Sequence, residues 1–266
     1  MVGRPDAAAL LAAVAEREDT PAFVRASALE ELTAYPSVRT ANAVREGLSD
    51  PDPLVRLAAL DHLETATGEQ LWPLVAPLLD DPVRGVRIEA AFLLAGTPAG
   101  TLSAADRERL EKAETEFVAA QMLNADRPES QSLLARYYVR KGALDKAEAA
   151  YKTALELSPH FTPAAVNLAD LYRQQGRDGE GIAVLREAIQ LSPNDAGLYH
   201  ALGLALVRAK KQDEGVARLG ARPSCSRIAS VMSMCTASAS IRLESTARPS
   251  RCSRARWILI PATGRF

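Results

Sequence analysis

At 266 residues the chain can hold one large domain or two small ones around a substantial core. The formal net charge of −1 conceals an asymmetry: residues 221–266 hold eight arginines, no lysine and one acid, Glu244, so the rest of the chain is acidic. An acidic body argues against a solenoid that binds nucleic acid. Three cysteines, Cys225, Cys235 and Cys252, form no C-x-x-C pair, which speaks against a disulfide framework and a zinc site, and no C-x-x-C-H stretch exists for covalent haem. The opening "MVGRPDAAALLAAVAERED" lacks the long apolar run of a signal peptide, and no segment reaches membrane-spanning length. As written, the chain is expected to be soluble and cytoplasmic, with no nucleic-acid or membrane partner.

From the N-terminus, three segments align without gaps: "FVRASALEEL" (23–32), "LVRLAALDHL" (54–63) and "GVRIEAAFLL" (85–94). Val24, Val55 and Val86 are 31 apart, as are Arg25, Arg56 and Arg87, then Ala28, Ala59 and Ala90, then Leu32, Leu63 and Leu94. Val, Ala and Leu at i, i+4 and i+8 lie along one helix face. Pro21, Pro53 and Pro82 mark the helix starts. Further helices are expected at "TANAVREGL" and "EQLWPLVAPLL", giving two antiparallel helices per unit. These segments resemble HEAT repeats of the short bacterial type, with the signature D-P-x-x-x-V-R-x-x-A-x-x-x-L, over residues 6–97. The resemblance implies that Arg25, Arg56 and Arg87 pair with carboxylates near the next helix and build a ladder along the stack.

A hinge is expected at "GTPAGT" (96–101), followed by a joining helix over 103–123 that opens on a Ser103–Asp106 capping box. Ala113, Phe117 and Ala120 stand 34 before Ala147, Tyr151 and Ala154, so residues 98–126 read as a linker helix or degenerate half repeat.

Beyond Arg127 the period becomes 34. Leu134 and Leu168, Tyr138 and Tyr172, Gly142 and Gly176, Ala154 and Ala188, and Pro159 and Pro193 all keep it. Residues 127–220 thus resemble tetratricopeptide repeats (TPRs): two complete units and a shortened third. Gly181 and Gly215 stand where that family usually has alanine, which weakens each second helix. Because the third unit is cut short, an exposed apolar edge is expected around Leu202, Leu206 and Val216.

Residues 221–266 break the pattern with Ser, Arg and Cys. Shifting the reading frame by two bases permits Y-V-Y-V-Y-G-I-G-I across Val231–Ser240 and allows proline 34 residues apart, across Ser226/Arg227 and Ile260/Pro261. The segment is read as an out-of-frame fourth TPR. The competing readings are a native basic Ser/Arg segment for phosphate-rich partners and a disordered terminus.

His62, His160 and His200 share no metal-ligand spacing, and no phosphate loop or nucleophile elbow occurs. Neither an enzyme nor a cofactor is expected. The architecture is an all-α, alpha-alpha solenoid. In TPRs the first helix of each unit lines a concave groove, and the resemblance places Ser132, Arg136, Arg140, Asn167, Asp170, Arg173, Gln174, His200 and Arg208 there. Arginines could grip carboxylates bidentately, and Asn167 could bond a peptide backbone. Of the carboxylate clamp used by some family members, only Asn167 matches. The implied function is a non-catalytic scaffold that holds a peptide or protein segment.

The stretches "NADRPE", "PAAVNLADLYR" and "HALGLALVR" also resemble the C-terminal repeat region of exported bacterial multihaem cytochromes. That resemblance implies an alternative, in which the repeats belong to a longer periplasmic protein and pack against its haem-bearing domain.

Overall fold

The computed structural model describes residues 7–64 and 71–209. The expectations for the tail, for the three cysteines, and for Gly215 and Val216 lie outside those residues. Among them the chain forms twelve α-helices and no strand. The first six are α1 (Ala7–Ala15), α2 (Ala22–Leu32), α3 (Val38–Gly47), α4 (Pro53–His62), α5 (Leu71–Val75) and α6 (Arg84–Leu94). Then follow α7 (Ala104–Met122), α8 (Pro128–Arg140), α9 (Leu144–Leu157), α10 (Thr162–Gln174), α11 (Asp178–Leu191) and α12 (Ala196–Arg208). The expected alpha-alpha solenoid is the observed architecture.

The three V-R segments are α2, α4 and α6, and α2 packs on α4 as α4 packs on α6. Val55 and Val86, Ala28, Ala59 and Ala90, and Leu32 and Leu94 are buried, as the 31-residue spacing requires. At α4, Pro53 occupies the first turn and the Asp52 carboxylate accepts from the Leu54 N–H at 2.9 Å. The helix expected at "EQLWPLVAPLL" is instead split. It is α-helical only to Val75 and continues as a tight 3-10 turn over Ala76–Asp80. Pro77 has no N–H to give to the carbonyl four residues back, and its ring crowds that carbonyl.

The arginine ladder is present. Arg25 pairs with Asp50, both side chains being less than a tenth exposed. Arg56 Nη2 donates to Asp81 Oδ1 at 3.0 Å, and the ion pair brings Nε within 2.8 Å of Oδ2. Its remaining nitrogen, Nη1, donates to the carbonyls of Asp50 and Pro51 at 2.7 and 3.0 Å. Arg87 repeats this on the carbonyls of Asp81 and Pro82, at 2.8 and 3.3 Å. Asp50 and Asp81 in turn accept from the N–H two residues on, each at 2.8 Å. Arg56 therefore holds its own D-P turn by the backbone and the next one by the side chain. At the last rung the partner changes, and Arg87 reaches Glu116 on α7 at 2.7 Å.

The expected hinge is pinned. Gly96 lies against the Arg140 backbone, so closely that a Cβ would sit 3.3 Å from the Arg140 carbonyl oxygen. Ala99–Thr101 forms a 3-10 turn whose Ala99 carbonyl accepts from Arg107 at 3.1 Å. Ser103 caps α7, its Oγ accepting from the Asp106 N–H at 3.1 Å; the Asp106 carboxylate bonds that same hydroxyl at 2.8 Å. Ala113 and Phe117 are buried, like Ala147 and Tyr151 at the equivalent places 34 residues on.

Packing does not stop where the period changes. A single apolar cluster runs from Ala12 through Phe117 to Leu134 and Tyr137 of α8. Phe92, Phe117 and Tyr137 form a chain of rings with centroids 5.6 and 5.0 Å apart, each contact contributing about 0.5–1.5 kcal/mol beyond its buried area. Glu114, buried in α7, accepts from Lys141 Nζ at 2.9 and 3.1 Å. Burial, and secondarily the Glu114 charge, push the Tyr137 phenol well above its usual range.

In the second half α8 packs on α10 and α10 on α12. Gly142 and Gly176 have φ of +71° and +72°. They end α8 and α10 in left-handed turns closed by Ala143 N–H to Tyr138 at 2.9 Å and Arg177 N–H to Tyr172 at 2.8 Å. Gly181 does more than weaken its helix: a Cβ there would meet the Ala169 carbonyl oxygen at 3.0 Å, so its absence lets α11 approach α10 closely. Leu202 and Leu206 are buried, against the expected exposed edge. The first helix of the third unit turns these leucines onto Ala165, Leu185 and Ala188 of the unit before it.

Candidate functional site

The nine groove positions separate into two groups. Ser132, Arg136 and Arg140 on α8 face the first half of the molecule. Ser132 is buried. Arg136 pairs with Glu64, and its guanidinium lies 5.1 Å from the centre of the Phe92 ring. The Arg140 guanidinium lies 4.7 Å from the same ring, and its Nη2 donates to the Glu64 carbonyl at 2.8 Å. Desolvation, together with the adjacent Arg136, lowers the pKa of Arg140. The side chains of Arg136 and Arg140 join the two halves.

The second group lies on α10 and α12. Asn167 is partly exposed, and Asp170, Arg173, Gln174, His200 and Arg208 are exposed. Beneath them Leu168, Leu171, Leu198, Leu202 and Leu206 are buried, so helical period alone turns the polar set outward. Asp170 accepts from Arg173 Nε at 2.5 Å and from Gln174 Nε2 at 3.1 Å. Hydrogen bonding from Arg173 holds the Asp170 carboxyl below its ordinary range, with Gln174 and the charge of Arg208 adding to this. Arg208 acts on Asp170 from the neighbouring helix, which brings α10 and α12 into one electrostatic surface. Tyr151 of α9 is buried. Burial raises its phenol to about 12, with Arg136 pulling down and Asp170 pushing up.

A second polar hub was not singled out from the sequence. Glu148 on α9 accepts from Lys152 and Arg177, each at 2.7 Å, and from the Tyr172 hydroxyl at 3.0 Å. These bonds, led by that from Arg177, bring its carboxyl down to about 2. The Arg177 guanidinium also stacks 4.3 Å above the Tyr172 ring. The hub staples α9 to the turn between α10 and α11, which is a structural office. The sequence signal was Arg177 directly after the Gly176 turn, 29 residues from Glu148.

Among the described residues no three His, Cys, Asp or Glu side chains gather as metal ligands. The histidines stay apart, His62 beside Thr33 at 3.3 Å and His160 beside Ser192 at 3.4 Å. No described helix is long and apolar enough to cross a membrane.

Comparison with known families follows the same division. Residues 7–95 match the family model for HEAT repeats. Residues 128–161 match that for the tetratricopeptide repeat, and residues 169–209 a further TPR repeat model. The chain carries HEAT repeats followed by TPRs. Stacked repeats of this kind expose extended surfaces and serve as scaffolds for protein–protein interaction. No curated protein matches the chain. Among solved structures it is similar to two of MamA. One is 17% identical, with 75% of this chain and 90% of that chain covered at a TM-score of 0.35. The other is 14% identical, with 92% and 100% covered at a TM-score of 0.36.

Proposed function

We propose that this HEAT–TPR protein is a non-catalytic scaffold that holds a peptide or protein segment on the TPR face built by α10 and α12. The observation that carries the reading is the exposure of Arg173, Gln174, His200 and Arg208 on adjacent first helices that bury Leu168, Leu171, Leu198, Leu202 and Leu206. With Asp170 already bonded to Arg173, the remaining cations of the surface, Arg208 and His200 when protonated, suit a segment bearing carboxylates, which planar guanidinium forks bind bidentately. Such a preformed surface loses little conformational entropy on binding.

The test is selection of a random peptide library on the full chain, followed by measurement of the selected peptides against Arg173→Glu with Arg208→Glu. Acidic peptides whose affinity falls at least tenfold in the variant support the reading. Peptides that bind both chains equally overturn it. The α8 residues are unsuitable for this purpose, since Arg136→Glu would break the junction with Glu64. The alternative, a repeat region packed on a haem-bearing domain of a longer periplasmic protein, rests on the sequence resemblance alone.

A further inference from the structure

The HEAT half carries a cleft of about 430 Å³ across α2 and α4, on the side away from the arginine ladder. Its apolar lining is unusually open: Phe23 is 66% exposed and Leu54 52% exposed. Leu57, half-buried, continues that surface inward. The other notable lining groups are carboxylates, Glu30, Asp61 and Glu89, with no cation among the lining residues. None of the three forms a salt bridge with another described residue.

The repeat generates this arrangement. Phe23 and Leu54 are 31 apart and occupy the first turns of α2 and α4, whereas Glu30 and Asp61, also 31 apart, occupy their last turns. Seven helical residues separate each apolar group from its acid, which is about 10 Å along the axis. The cleft thus has an apolar end and an acidic end, both running across the stack. At the acidic end burial and the charge of Asp61 push the Glu89 carboxyl up, and Arg140 offsets this only in part. Negative charge is therefore in excess there, and a cation supplied from outside would relieve it.

We infer that this cleft is a second interaction surface, one that takes a protein segment bearing a bulky apolar side chain and, about 10 Å along it, lysine or arginine. The apolar side chain covers Phe23 and Leu54; the cation sits among Glu30, Asp61 and Glu89. Its charge preference is opposite to that of the TPR face, so the two surfaces select different partners and one chain can hold both.

A fluorescent synthetic peptide of alternating leucine and arginine, titrated into the full chain, tests this. Binding is expected to weaken at least tenfold in Glu30→Lys with Asp61→Lys, and several-fold in Phe23→Ala. It should be unchanged in Arg173→Glu with Arg208→Glu, which separates this surface from the TPR face. A leucine–glutamate peptide should not bind. Glu30→Gln and Phe23→Ala lie at exposed positions and serve if the double lysine variant loses its helical circular dichroism. Binding that survives all the cleft substitutions overturns the inference. So does an equal loss in Glu108→Lys with Glu111→Lys on exposed positions of α7, which would show general charge attraction. A tenfold gain in affinity on deleting the arginine-rich residues 221–266 would assign the cleft to the chain's own tail and equally overturn an outside partner.

Discussion

The HEAT half and the TPR half solve the same problem, joining one helical hairpin to the next, by different chemistry. In the HEAT half the connection is polar: Arg25–Asp50 and Arg56–Asp81 are nearly buried pairs that repeat every 31 residues and also fix the D-P turns. In the TPR half it is steric. Small residues such as Ala164, Ala165 and Gly181 let helices close, and Tyr151 and Tyr172 fill the space beside them. Buried charge pairs specify a partner strictly but depend on both members, because a lone buried ion is far costlier than a cavity. Steric packing spreads the same task over many weak contacts, so each site tolerates more.

The sharpest way to break that contrast is Arg56→Ala. It leaves Asp81, 4% exposed in its side chain, without its cation, and should cost about 3–5 kcal/mol in urea unfolding. Adding Asp81→Asn should recover much of that, since the amide oxygen can still accept from the Val83 N–H. A loss below about 1 kcal/mol for the single change would show that the ladder is not what joins α4 to α6.

On the steric side, Ala164→Leu at a fully buried position should cost about 1–3 kcal/mol by overpacking, with no partner substitution among charged residues able to rescue it. Rescue by a charge change would erase the distinction between the halves.

Glu148→Gln probes the strongest polar contact of the TPR half, with an expected loss of about 1–2 kcal/mol at neutral pH, modest because its cations are partly exposed. The native carboxyl is depressed from its ordinary 4.5 to about 2. Its contribution is thus complete above pH 4.5 and fades as pH falls through about 2. The melting temperatures of the parent and the variant should converge over that window; a gap that stays constant would exclude the carboxylate as its source. The smallest effect is expected at Gly176→Ala, where a φ of +72° costs a side chain about 1 kcal/mol and the surroundings offer no clash. Calorimetry should register it as a small drop in melting temperature without loss of helicity.

The ladder's arginines were legible because they recur at one period, one residue after Val24, Val55 and Val86, and their pairing with carboxylates was implied by the resemblance to HEAT repeats. The spacing of Gly142 and Gly176 was legible for the same reason, and their positive φ came from the structure. Other features escaped periodic reading. The break after Val75 follows from Pro77, whose effect was outweighed by the apolar pattern around it. Leu202 and Leu206 were assigned to an open edge by counting helices, whereas they pack backward onto Leu185 and Ala188. The stretch at 96–101 has a hinge's composition, yet the Arg140 backbone packs on it from α8 and Arg107 bonds it from the helix that follows.

What the sequence by itself determined is therefore most of the helices, the two periods and the residues that repeat with them, since these depend on spacing along one chain direction. Which polar positions remain open to a partner was decided by the tertiary structure. Arg136 and Arg173 both lie on the first helices of their repeats and both are ion-paired, but Arg136 is held by Phe92 of α6 and by Glu64 from the first half, whereas Arg173 pairs with Asp170 of its own helix. The openness of a face depends on which element stacks next to it, and that neighbour is set by packing between dissimilar repeats, for which neither period carries a signal.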